Sequence, residues 1–189
     1  MVFSEDIKEA TEVLRNGGII IYPTDTRWGI GCDATSHDAV QKIFKIKSRS
    51  ETKSLLVLVD GDGLLGRYAD EIPEIAWELT SVSDSPLTII YPKGKNLAPG
   101  VCAEDGSVGI RICHDPFCNE LIGRFRKPIV STSANFSGRP SPGSFEEIES
   151  QLLEAADYVV KHRRDDRQKQ STSPMIKLEL DGTFRIIRR

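Results

Sequence analysis

The sequence predicts an α/β fold in which an open, twisted, mixed sheet carries flanking helices. Short apolar runs rich in β-branched residues recur along the chain, as buried strands require. Amphipathic stretches with helical spacing lie between some of them. Strands and helices do not alternate strictly, and short loops join several strands, which argues against a purely parallel sheet. No internal repeat or linker divides the 189 residues, so a single domain is expected over 4–189.

In chain order, Ser4 reads as an N-cap, with Glu5 and Asp6 in the first turn and Ile7, Ala10, Val13 and Leu14 on one face. Asn16-Gly17-Gly18 stops this helix, and residues 19–22 form a buried strand. A second helix starts near Ser36 and buries Val40, Ile43, Phe44 and Ile46. "SLLVLV" (54–59) is a strand, residues 72–79 a helix, "PLTIIY" (86–91) a strand, and "SVGIRI" (107–112) a short strand. "PFCNELIGRF" (116–125) is a helix and "KPIVSTS" (127–133) a strand. "SFEEIESQLLEAA" (144–156) reads as a helix capped by Ser144, and "DYVV" (157–160) as a short extended segment. Residues 162–174, "HRRDDRQKQSTSP", are polar and aperiodic and predict a mobile loop. In the final stretch, Asp181-Gly182 between alternating segments predicts a hairpin.

Composition narrows the function. The formal net charge is −3, so nucleic acid could be held only by a local patch. The four cysteines show no CxxC pairing, and Cys113, His114 and Cys118 lack a marked fourth ligand, so no metal centre is expected. No signal peptide or membrane-length apolar run is visible, which makes a reduced, cytoplasmic protein with no membrane partner the expectation.

Four segments and one arginine within a strand carry chemistry. "YPTDTRWGIGCDA" (22–34) places Thr24, Asp25 and Thr26 at the end of a buried strand, where open α/β sheets bind ligands. Gly29-x-Gly31-x-x-Ala34 formally matches a dinucleotide fingerprint, but Pro23 to Thr26 separate it from the strand, in the wrong context for a nicotinamide oxidoreductase. "KIKSRSETK" (45–53) gathers Lys45, Lys47, Arg49 and Lys53, either a solvated helix end or a polyanion clamp. Arg111 stands among apolar neighbours, facing either solvent or a ligand carboxylate. "STSAN" (131–135) has hydroxyls and an amide but neither a G-x-S-x-G elbow nor a nearby histidine, so donation to ligand oxygens suits it better than nucleophilic attack. "QSTSP" (170–174) is a second hydroxyl cluster.

Taken together, "YPTDT", "KSR…K", "PLT", "VGIRI", "STSANFSG" and the late "STSP…IIR" resemble the YrdC family of threonylcarbamoyl-adenylate synthases over nearly the whole chain. The resemblance implies a twisted α/β sheet with a large, concave, positively lined cavity. It also implies a nucleotidyltransferase making threonylcarbamoyl-AMP and pyrophosphate from L-threonine, bicarbonate and ATP, with Mg²⁺ accompanying ATP. A partner tRNA-modifying transferase would then use the product to make N6-threonylcarbamoyladenosine at tRNA position 37. Some relatives bind double-stranded RNA, so a non-catalytic module binding tRNA or double-stranded RNA is the alternative, beside a divergent paralogue of low activity. By this resemblance Thr26, Arg111, Ser131 and Ser171 contact threonine. Lys47, Arg49, Lys53, Ser107, Ser133, Asn135, Ser141 and Arg188 contact ATP, and no residue forms a covalent intermediate. Trp28 stands where tyrosine or phenylalanine is more usual, and Leu58 where many relatives have histidine.

Overall fold

A computed structural model describes residues 3–48, 54–83, 85–166 and 172–188. In chain order the elements are α1 (Ser4–Arg15), β1 (Ile20–Tyr22), β2 (Gly29–Gly31), α2 (His37–Lys47), β3 (Leu56–Val59), α3 (Asp62–Tyr68), β4 (Ala69–Asp70), α4 (Glu74–Val82), β5 (Thr88–Tyr91) and β6 (Lys93–Gly94). They continue with β7 (Val108–Ile112), α5 (Pro116–Phe125), β8 (Ile129–Ser133), a 3₁₀ turn (Phe145–Glu147), α6 (Ser150–Glu154), β9 (Tyr158–Val159), β10 (Met175–Leu178) and β11 (Phe184–Arg188). Among the described residues no helix is long and apolar enough to cross a membrane.

The apolar runs form a mixed sheet in the order β11-β10-β5-β7-β3-β8-β2-β1-β9. Pairings of β1 with β9, β10 with β5 and β3 with β7 are parallel, and the others within this sheet are antiparallel. In β8, Ile129 and Val130 are fully buried. Burying such side chains stabilises by about 1.5–3 kcal/mol each, which fixes the polar exit of the strand on a rigid base. Asp181-Gly182 makes the expected turn between β10 and β11, with Gly182 at φ +82° and Asp181 Oδ1 accepting from the Thr183 N–H at 2.9 Å.

"GIG" is strand, not loop. Gly29–Gly31 pairs antiparallel with both β1 and β8. A Cβ on Gly31 would lie 2.3 Å from the Val130 carbonyl, so close backbone approach explains that glycine. The segment opens no helix, and phosphate cradling of the dinucleotide type has no place here.

Three helix expectations are corrected. Phe3, not Ser4, occupies the N-cap of α1, without a side-chain cap bond. Its ring packs on Phe117 and His162 at 5.7 and 4.9 Å, so aromatic packing anchors this end. The continuous helix read over 144–156 is a 3₁₀ turn followed by the short α6, and Ser144 makes no side-chain cap. Phe145 is held against Trp28 at 5.0 Å and Glu147 Oε2 accepts from the Gly143 N–H at 2.7 Å, which tightens the first turn. The third is α3, which the sequence reading omitted: Gly63 and Gly66 disguise a helix that buries Leu64 and Leu65.

The start of the loop expected over 162–174 is tied down. Arg163 Nη1 lies 2.8 Å from Asp115 Oδ2, and Arg164 Nε donates to the Val160 carbonyl at 2.9 Å. Residues 167–171 lie outside the described residues, as do Arg49 and Lys53.

Candidate functional site

Where β1 ends, Pro23 stops strand pairing and the chain turns on a hydroxyl. Thr24 Oγ1 accepts from the N–H groups of Thr26 and Arg27, both at 3.1 Å, and donates to the Arg27 carbonyl at 2.7 Å. This turn directs Thr24, Thr26 and Arg27 into a cavity of about 300 Å³. Ser131, Thr132 and Ser133 at the exit of β8 line it, with Gly109 and Arg111 from β7 beside them. Gly109 and Arg111 are two apart on a strand and share a face. Ser141, Thr172, Ser173 and Arg188 also line the cavity.

Arg111 is 3% exposed and turns inward, which rules out the solvent-facing reading. Its Nη2 lies 2.9 Å from Asp25 Oδ1, and its Nη1 donates to Ser173 Oγ at 3.2 Å. Ser173 Oγ is also 2.8 Å from Thr88 Oγ1, and its carbonyl accepts from Arg188 Nε and Nη2 at 3.0 and 2.7 Å. Burial raises the Asp25 carboxyl above its ordinary value, although the Arg111 guanidinium pulls it down. Partial burial lowers Arg188, and the Arg111 and Arg27 charges lower it further.

The predicted residues therefore divide. Thr26, Arg111, Ser131, Ser133, Ser141 and Arg188 share the cavity wall. Lys47 does not: it is 2% exposed, and its Nζ donates to the Ser133 and Asn135 carbonyls and, at 3.3 Å, to Asn135 Oδ1. With α2 ending in left-handed Ser48, that ammonium turns under the β8 exit and serves as a strut. Asn135 accepts from Ser133 Oγ and donates from Nδ2 to the Arg139 carbonyl, shaping the turn behind the floor. Ser107 does not line the cavity either; its N–H and hydroxyl both donate to Asp105 Oδ1, which positions the entry to β7. Ser171 lies outside the described residues; Ser173, two positions on, is the hydroxyl that meets Arg111. Leu58 is fully buried beside Arg111 on the neighbouring strand and does not line the cavity.

Sequence reasoning missed Arg27, Thr172 and Ser173 as cavity residues. The signals were faint: an arginine following "PTDT", and a second "STS" that could be read in two registers.

Among the described residues no histidine and no carboxylate lines this cavity. The wall offers guanidiniums and hydroxyls, suited to binding oxyanions and orienting them. The described wall contains no carboxylate of the kind that usually helps to hold Mg²⁺, a hard cation.

A family model described as telomere recombination, spanning Sua5, YciO and YrdC, matches residues 12–189. The threonylcarbamoyl-AMP synthase of Pseudoalteromonas translucida is 33% identical over 82% of this chain and 84% of its own length. That of Vibrio cholerae is 32% identical over 88% of this chain and 90% of its own. Among solved structures, P. abyssi Sua5 complexed with L-threonine superposes with a TM-score of 0.80 at 28% identity, over 91% of this chain and 50% of that one. This chain thus spans about half the length of that Sua5. E. coli YciO shares the fold, with a TM-score of 0.83 at 24% identity, over 97% of this chain and 88% of its own.

Proposed function

The chain belongs to the Sua5/YciO/YrdC family, and on that premise we propose that it makes threonylcarbamoyl-AMP and pyrophosphate from L-threonine, bicarbonate and ATP. The observation that carries this reading is a single cavity whose wall combines Arg111, Arg188 and the Ser131–Ser133 hydroxyls with no nucleophile–base pair among the described residues. The reaction needs none. Threonine's amine condenses with bicarbonate, losing water, to give a carbamate. A carbamate oxygen then forms a bond to the α-phosphorus of ATP as the bond to the bridging oxygen breaks and pyrophosphate leaves. Such nucleotidyl transfer is accelerated by aligning the reactants and neutralising charge.

In this scheme Arg111 receives the threonine carboxylate, with Thr26 and Ser131 orienting the amino acid. Arg188, Ser133 and Ser141 serve the nucleotide, and Arg49 and Lys53 are assigned to its phosphates by family resemblance alone. Mg²⁺ arrives as part of the MgATP substrate, held by phosphate oxygens and water. The product would pass to a tRNA-modifying transferase in the cytoplasm. No observation favours the RNA-binding alternative.

The test is pyrophosphate release from MgATP by purified protein. Release is expected only when L-threonine and bicarbonate are both present. Release indifferent to threonine, or none with all three substrates, would overturn the reading.

A further inference from the structure

We infer that Arg27 is an additional anion-binding residue of the cavity, paired with Arg188 to grip phosphate oxygens. The inference rests on the nucleotide reading above, and deepens it by naming a cation that the resemblance did not assign.

Geometry supplies the first reason. The Thr24 turn brings Arg27 to the cavity wall, where its Nη1 donates to the Ser141 carbonyl at 3.0 Å. The guanidinium is thus held at one corner, while its Nε is buried with no hydrogen-bond acceptor among the described residues. A buried donor left without an acceptor is costly, and a ligand oxygen would satisfy it.

Charge supplies the second. Arg27 forms no ion pair among the described residues. Asp166 lines the small pocket on the other side of Arg27, but its Oδ2 faces Arg163 Nε at 3.4 Å. Arg111 has Asp25, whereas among the described residues the Arg188 side chain bonds only to the Ser173 carbonyl and hydroxyl. Two guanidiniums with no carboxylate partner among the described residues therefore face a cavity whose described wall contains no carboxylate. They are close enough for the Arg27 charge to depress Arg188. Like charges held together this way are relieved by a polyanion, and planar guanidinium forks match phosphate oxygens bidentately. Lys47 cannot take this place while its ammonium is bound to main-chain carbonyls.

Calorimetric titration with inorganic tripolyphosphate, and separately with L-threonine, tests the assignment on wild type, Arg27→Leu and Arg27→Lys. Tripolyphosphate affinity is expected to fall about tenfold or more in R27L, the scale of a lost charge-assisted bond, and less in R27K. Threonine affinity should change by less than about twofold, since Arg111 is untouched. Undiminished tripolyphosphate binding in R27L would show that Arg27 merely tethers the Ser141 segment, and equal losses for both probes would also overturn the inference. Should R27L fail to fold, the same comparison is made with R27K, where unchanged tripolyphosphate affinity and salt dependence overturn it. Wild type that binds tripolyphosphate through Arg27 but releases no pyrophosphate with threonine refutes the synthase reading alone. Threonine-dependent turnover with tripolyphosphate binding indifferent to R27L refutes only this inference.

Discussion

Asp25 does not line the cavity, yet it is the ion-pair partner of Arg111, which does. Its carboxylate is 10% exposed and lies against the nearly inaccessible Arg111, so each charge is tolerable only because of the other. Removing one member of a buried pair typically costs about 3–5 kcal/mol, because the survivor is left uncompensated. Asp25→Asn is therefore expected to lower stability and to raise the threonine KM about tenfold or more, with a smaller effect on the ATP KM. Titration separates this positioning role from general damage. Burial raises the Asp25 pKa, so the carboxylate takes up its proton at a higher pH than an exposed aspartate would. Once protonated it releases Arg111, so threonine affinity should fall as pH drops through that raised value. In D25N this acid limb should disappear. If the wild-type and D25N profiles of threonine KM against pH run parallel, Asp25 does not act through Arg111.

Individual elements show how a strand end and a helix end are locked together. Asp6 in the first turn of α1 accepts from Tyr158 Oη at 2.6 Å and from the N–H groups of Lys161 and His162 at 3.0 and 2.8 Å. Burial pushes its carboxyl up, but the Lys161 N–H, the Tyr158 hydroxyl and the His162 N–H outweigh it, and its pKa is lowered. A carboxyl depressed on folding contributes stability above its unfolded pKa, and the contribution vanishes as pH falls through the folded value. Asp6→Asn should thus cost about 1–3 kcal/mol near neutrality and progressively less below about pH 4. Urea midpoints of both proteins across that range check it; a constant gap would show the charge to be irrelevant. The sequence reading placed α1, β1 and β8 correctly because apolar runs and period-3.6 faces are local signals. It lost α3, whose glycines mimic a turn, and ran α6 together with the preceding 3₁₀ turn, because the Phe145–Trp28 contact that breaks them is tertiary.

At the scale of the whole molecule, the strand order could not be read from the chain, because β10 joins β5, and β9 joins β1, across long intervals of sequence. The site was legible as separate hydroxyl and cation clusters, but not as a junction of residues 25, 111, 173 and 188. That junction has a functional consequence. Arg111 holds the Ser173 hydroxyl, and Arg188 holds the Ser173 carbonyl. On the proposed assignment, a threonine carboxylate that draws Arg111 into place would steady Ser173, and through it the Arg188 guanidinium proposed to serve the phosphates. The two ligands should therefore bind with positive coupling. Because binding free energies are reciprocal, a non-hydrolysable ATP analogue must strengthen threonine by the same factor that threonine strengthens the analogue, about fivefold or more if the coupling is typical. Ser173→Ala keeps the carbonyl contact to Arg188 but removes the hydroxyl that Arg111 reaches, so each ligand should still bind alone while the mutual enhancement shrinks toward unity. Threonine titrations with and without saturating analogue, in both proteins, measure this directly. Equal threonine affinity in the presence and absence of the analogue in wild type, or full coupling retained in S173A, would show that the two halves of the cavity do not communicate through Ser173.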